Sequence, residues 1–221
     1  MIFTFLEVNL IIDSISILAL FMLLILEHIA NYFIFKAEQT RRNDYFDNSF
    51  GTNYGYDPSQ NYYDTDEINY GLYKMITNTF ESAFFSLEIS KRMFYKKLKI
   101  NIVFFPIIIC LAIYGFIQTS LSLPILQLFL SKFFLVELLD IYKYNSRVEK
   151  VFSDLKRLFT NNLINTTESI EKNMAEIIKL YIEYESNISD LKILLDSKIY
   201  CSLNEELTAK WNLMKENYNI S

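Results

Sequence analysis

Glycine and proline are scarce in this chain, at four and three of 221 residues. Tight turns depend on these residue types, so a fold of many short strands joined by hairpins is disfavoured and a few long helices fit better. The single histidine, His28, stands beside Glu27 at the end of an apolar run. No second imidazole exists for a metal site or a histidine-assisted nucleophile. The two cysteines, Cys110 and Cys201, form no CxxC pair and fall in segments of very different polarity, which favours free thiols over a mutual disulfide. A glycine-rich phosphate loop is also missing. The net charge of −5 comes from mixed acids and bases, so there is no basic footprint and no direct nucleic-acid binding is expected. These absences argue against an enzyme and imply no cofactor. The N-terminus lacks the basic region of a secretory signal and no convincing small-residue cleavage site follows it, so the first apolar segment is expected to stay attached.

What the chain does have is apolar surface. Hydrophobic residues make up 52% and aromatic residues 16%, more than a soluble domain of this size needs, and the excess points to lipid. Residues 8–35 are almost continuously apolar, and the centre of that run, SISILALFMLLIL at 14–26, carries no charge. A span needs about 20 residues for a hydrocarbon core of about 30 Å, so Asp13 or the Glu27–His28 pair sits inside it or at its edge. A second uncharged run covers 100–131. It is longer than one span and shorter than two, and the polar Gln118-Thr-Ser-Leu-Ser122 between Gly115 and Pro124 marks a hairpin, with spans near 100–117 and 123–142.

Cations set the orientation. Lys36, Arg41 and Arg42 follow the first span, Lys91, Arg92, Lys96, Lys97 and Lys99 precede the second, and Lys143, Arg147 and Lys150 follow the third. The N-terminal tail and the hairpin turn have none, so the N-terminus is expected outside and both large polar segments inside. The expected fold is all-α: an integral membrane protein with about three transmembrane helices and a cytoplasmic helical bundle. Its parts are an N-terminal span (1–35), a Tyr/Asn-rich loop with an amphipathic helix (36–99), a transmembrane hairpin (100–142) and a C-terminal helical region (143–221).

Within the polar segments, residues 43–67 are rich in Asn, Asp, Ser and Tyr and show no helical period, which predicts a loop. Ile68, Leu72, Met75, Ile76, Phe80, Ala83, Phe84 and Leu87 recur at helical steps and predict a helix packed on one face. Val148, Val151, Phe152, Leu155, Leu158 and Phe159 make a second stripe, broken at Asn161-Asn162. A third runs through Ile170, Met174, Ile177, Ile178, Tyr181 and Ile182, with a polar interruption near Glu185 before Ile188, Leu191, Leu194 and Leu195. Ser202-Leu-Asn-Glu205 has capping-box spacing and predicts the start of a last helix containing Trp211.

Two groups of residues are candidate sites. Lys132, Glu137 and Asp140 lie in or at the edge of the third span, where charge is costly and tends to face protein or water, which suggests a pore lining or oligomer contact. At about 100° per residue, Lys132 and Glu137 are roughly 140° apart around the helix, so they look to different neighbours. The blander alternative has Glu137 and Asp140 at the cytoplasmic interface and only Lys132 buried. Around the loop, Tyr54, Tyr56, Tyr62, Tyr63 and Tyr70 could stack on a nucleobase, with Asp64 and Asp66 beside them as a ligand or partner loop. Asp64, Asp66 and Glu67 lack the spacing of a calcium loop and read better as a solvated acidic end.

RRNDYFDNSFG at 41–51, just after a span, and LNEELTAKWNLMKENYNI at 203–220, together with the overall architecture, resemble the SMODS-associated transmembrane effectors of prokaryotic antiphage immunity. The better-known form of such effectors has four spans against the three counted here, and no residue role is carried over. The resemblance implies an oligomeric effector of the bacterial inner membrane that permeabilises or depolarises it when its cytoplasmic helices receive a signal, from a sensor protein or a cyclic nucleotide. The alternative is a non-catalytic membrane scaffold that recruits a cytoplasmic partner.

Overall fold

The computed structural model describes residues 2–55, 63, 65–114 and 135–220, and every regular element among them is a helix. They are α1 (Ile2–Phe50), α2 (Leu72–Tyr114), α3 (Leu135–Thr160), α4 (Thr167–Lys172), α5 (Met174–Leu191) and α6 (Ser197–Tyr218). The expected hairpin turn, and Lys132 with it, lies outside the described residues, as do Tyr56, Tyr62 and Asp64.

Helix α1 has 49 residues, about 70 Å at 1.5 Å per residue. From Ile17 to Phe35 its described apolar side chains stand mostly exposed, and by length and composition this helix can cross a membrane. Beyond Arg41 the same helix turns a face inward, burying Tyr45, Asp47 and Ser49. The loop expected at 43–67 is thereby corrected, since residues 43–50 are helical. Their polar side chains are not loop signals but contacts to other segments. Asn78 on α2 donates to Asn48 Oδ1 at 2.8 Å and to Ser49 Oγ at 3.3 Å, and accepts from Thr65 Oγ1 at 2.7 Å.

Gly51 ends α1 at φ +67, in the left-handed region that glycine enters without penalty, and its N–H donates to Asp47 O at 2.9 Å. The Asp47 carboxylate then collects Thr52 Oγ1, the Tyr54 N–H and the Gly55 N–H, each at 2.7 Å. Burial acts to raise this carboxyl, but the three donors together outweigh it and hold it below the usual range. Asp47→Asn is expected to cost about 1–2 kcal/mol in chemical unfolding. Because the folded value is depressed, the carboxylate's contribution is fully present above about pH 4 and is lost as pH falls through the lowered value. The Asn variant should lose that acid-dependent part of the stability curve.

Helix α2 is the axis of the bundle and contacts α1, α3, α5 and α6. All residues from 74 to 81 are buried, polar ones included, so the expected one-sided stripe is the core of a helix surrounded on every side. Phe80 sits at the centre, stacked on Phe159 at 4.9 Å and edge-on to Trp211 at 5.5 Å. The stripe on α3 is buried as expected except for Phe152, which is partly buried, and the break at Asn161-Asn162 is a turn with Asn162 at φ 53. Past Met93, α2 continues without interruption beyond Lys99 and exposes Ile102, Val103, Phe105, Ile107, Ile109 and Ile113.

Three local expectations in the C-terminal part are corrected. Helix α5 is unbroken through Glu185, because that carboxylate has an internal partner. It buries Ile177, Leu180, Tyr184 and Asn187 and leaves Met174, Ile178 and Ile182 exposed, so the inner face is rotated from the stripe expected. Helix α6 starts at Ser197, capped by Asp196, whose Oδ1 accepts from the N–H groups of Lys198 and Ile199. Ser202 is inside the helix, its hydroxyl donating back to Ile199 O at 2.8 Å.

Candidate functional site

Where α1 passes from exposed apolar surface into the bundle, it leaves a cleft of about 520 Å³ against α2, α3, α5 and the connector 192–196. Helical spacing puts Phe33, Ile34, Ala37, Glu38 and Arg41 on the one face of α1 that lines it. Phe85, Ile89, Ile188 and Leu195 supply apolar walls from the other side. Ser86, Tyr144 and Tyr184 contribute polar groups.

Arg41 and Glu185 join α1 to α5 through a two-pronged ion pair, with Nη1 to Oε1 at 3.0 Å and Nη2 to Oε2 at 2.7 Å. Side-chain exposures of 29% and 12% place the pair largely out of water, where such charge-assisted bonds are strongest. Burial acts to lower the Arg41 guanidinium, but the hydrogen bonds and charge of Glu185 outweigh it and hold it above its usual value. Tyrosines surround the pair. Tyr45 stacks on Tyr181 at 5.1 Å and its hydroxyl shares a 2.6 Å hydrogen bond with Thr79 Oγ1. Tyr184 and Ser86 share one at 2.9 Å. Burial pushes Tyr45 and Tyr184 well above the ordinary phenol range, raises Tyr144 and lifts Tyr181 to about 12. All four are neutral at physiological pH.

The residues singled out in the sequence are distributed differently. Tyr63 is buried, edge-on to Tyr45 at 6.0 Å, and lines the cleft. Tyr54 is 64% exposed, Asp66 is exposed in a turn, and Tyr70 lies outside with Lys74 over its ring at 4.9 Å. The described tyrosines of that loop therefore face both inward and outward. Glu137 accepts from Lys97 Nζ at 2.6 Å and so links α3 to α2, while Asp140 is 3.7 Å from Lys143 on its own helix. Both carboxylates line a second cavity of about 670 Å³ with Asn31, Ile34 and Met93. Among the described residues, no group of three or more His, Cys, Asp or Glu side chains is placed to hold a metal ion.

In the sequence Arg41 is an orienting cation within the resembling stretch 41–51, and Glu185 is an interruption of an apolar stripe. The available signal is an acid set directly beside the buried Tyr184, on the side of the helix that also carries Ile177, Leu180 and the partly buried Ile188. Its partner, 144 positions away in sequence, leaves no local trace. No family model, curated protein or solved structure matches the chain.

Proposed function

We propose that the chain is a multi-pass effector of a bacterial inner membrane, with its N-terminus outside and its bundle in the cytoplasm, which oligomerises and depolarises the membrane when the bundle receives a signal. The observation that supports this reading most is continuity. Helices α1 and α2 each run unbroken from a buried core segment into an exposed apolar segment. A continuous helix transmits a rotation or shift along its length, so a rearrangement in the bundle would move the membrane segment of α1, which contains no proline or glycine, whereas Pro106 gives α2 a point at which part of such a motion is absorbed. The Arg41–Glu185 pair stands at the junction and holds α1 against α5. In this account Lys132, with Glu137 and Asp140 at the cytoplasmic edge, belongs to the conducting or oligomer contact. Antiphage defence is the setting that the two resembling stretches suggest.

A scaffold reading draws on one specific feature, the exposed row Met174, Ile178 and Ile182 on α5, which would suit a recruited helix. Expression in a bacterium carrying a membrane-potential dye separates the two. Wild type, Glu185→Gln and Lys132→Leu are compared after each is verified in the membrane fraction. The effector reading expects depolarisation by the wild type or by Glu185→Gln, and its loss when Lys132→Leu is added. If every inserted form leaves the potential unchanged, including during phage infection, the scaffold reading stands in its place.

A further inference from the structure

The cleft beneath α1 has a property that decides what it can hold. The one cation among the described residues that line it, Arg41, is already neutralised by a two-pronged bond to Glu185, and Glu38 adds a negative charge at the wall. A phosphate-bearing ligand such as a nucleotide would meet no unpaired positive charge there and would have to be stripped of water for little return. Of the polar groups of the wall, Ser86 and Tyr184 bond to each other, while the buried Arg41 Nε has no hydrogen-bond partner among the described residues. What remains is an apolar space of about 520 Å³, within the range of small-molecule sites. It joins the exposed apolar surface of α1 at Phe33 and Ile34, where Phe33 is 63% exposed.

We infer that this cleft takes one hydrocarbon chain of a bilayer lipid, which enters past Phe33 and Ile34 and lies between α1 and the wall of Phe85, Ile89, Ile188 and Leu195, its headgroup remaining at the interface. Filling the space with a chain satisfies both sides at once. The apolar walls leave water, and the Arg41 charge is already paired with Glu185. The occupant would hold α1 away from α2 at the point where α1 joins the bundle, so the lipid would contribute to how the bundle grips its membrane helix. This inference rests on α1 being a membrane helix, as proposed above.

The test uses the full chain in phosphatidylcholine/phosphatidylglycerol vesicles containing a few per cent of a phosphatidylcholine with a diazirine at the end of one acyl chain. After photolysis, adducts are mapped by mass spectrometry. Adducts are expected on Phe85, Ile188 or Tyr200 of the bundle as well as along the exposed face of α1. Ala37→Trp, which fills the cleft from α1, is expected to remove the bundle adducts and keep those on α1, with folding checked by circular dichroism. Independently of any variant, moving the diazirine to the headgroup should abolish the bundle adducts in the wild type. Adducts confined to α1, bundle adducts that persist in a folded Ala37→Trp protein, or equal bundle labelling by the headgroup probe each overturn the cleft assignment while leaving α1 in the membrane. Absence of adducts on α1 as well overturns the membrane reading itself.

Discussion

Phe80→Ala is expected to destabilise the bundle by about 3–5 kcal/mol, the range for removing a large aromatic side chain from a core that cannot close over the gap. Phe80 is fully buried and touches rings from three directions: Phe159 stacked at 4.9 Å, Phe152 at 5.3 Å and Trp211 edge-on at 5.5 Å. These come from α3 and α6, so the cavity would open where two helices meet the central one. Trp211 and Phe159 are held by their own helices and are poorly placed to collapse inward. Urea or thermal unfolding of the detergent-solubilised chain, followed by Trp211 fluorescence, reads the change, because the only tryptophan lies against the altered site. Phe80→Leu, which retains most of the volume, should lose much less. An equal loss from both would mean that the site is not close-packed.

Glu185→Gln is expected to cost about 2–3 kcal/mol, since it leaves a partly buried guanidinium without its counter-charge. The Arg41 side chain is 29% exposed, so some water can reach it and the loss stays below that of a fully enclosed pair. The sign of the compensating change is informative. The double variant Arg41→Leu/Glu185→Leu should recover most of the loss, because two apolar side chains in this setting carry no desolvation penalty. Denaturant midpoints of the two singles and the double form a mutant cycle, and additivity of the two single losses would show that the residues do not act as a pair.

Much of the fold follows from features a sequence displays locally. Few glycines and prolines favour long helices, and all described elements are helical. The stripe from Met75 to Leu87 and that from Val148 to Phe159 are buried, Phe152 only partly, because apolar residues three and four apart leave water together only on a helix. What escaped was set by distant partners. Asp47, Asn48 and Ser49 read as loop residues because their polarity is local, while the groups that satisfy it, Asn78 and the backbone of 54–55, come later in the chain. Glu185 read as a break for the same reason. The capping-box spacing at Ser202 lost to Asp196, which also accepts from Lys96 Nζ at 3.0 Å and is thereby fixed at the helix start. Of the candidate site, Tyr63 was legible as an aromatic in a polar segment, but the cleft it borders depends on helices that only tertiary packing brings together.

The proposed passage of α1 and the distal part of α2 from the bundle into the bilayer is tested with the two native cysteines. Both Cys110 and Cys201 are exposed on the protein surface, so in a molecule surrounded only by water a maleimide would label them alike. With the distal part of α2 in lipid the two differ: Cys110 is shielded by hydrocarbon from a reagent that stays in water, while Cys201 on α6 is not. In inside-out vesicles treated with a membrane-impermeant maleimide, modification of Cys201 alone is expected, with Cys110 reacting only after detergent and denaturant are added. Labelling of Cys110 at the same rate as Cys201 in intact vesicles, or recovery of the protein in the soluble fraction, would contradict it.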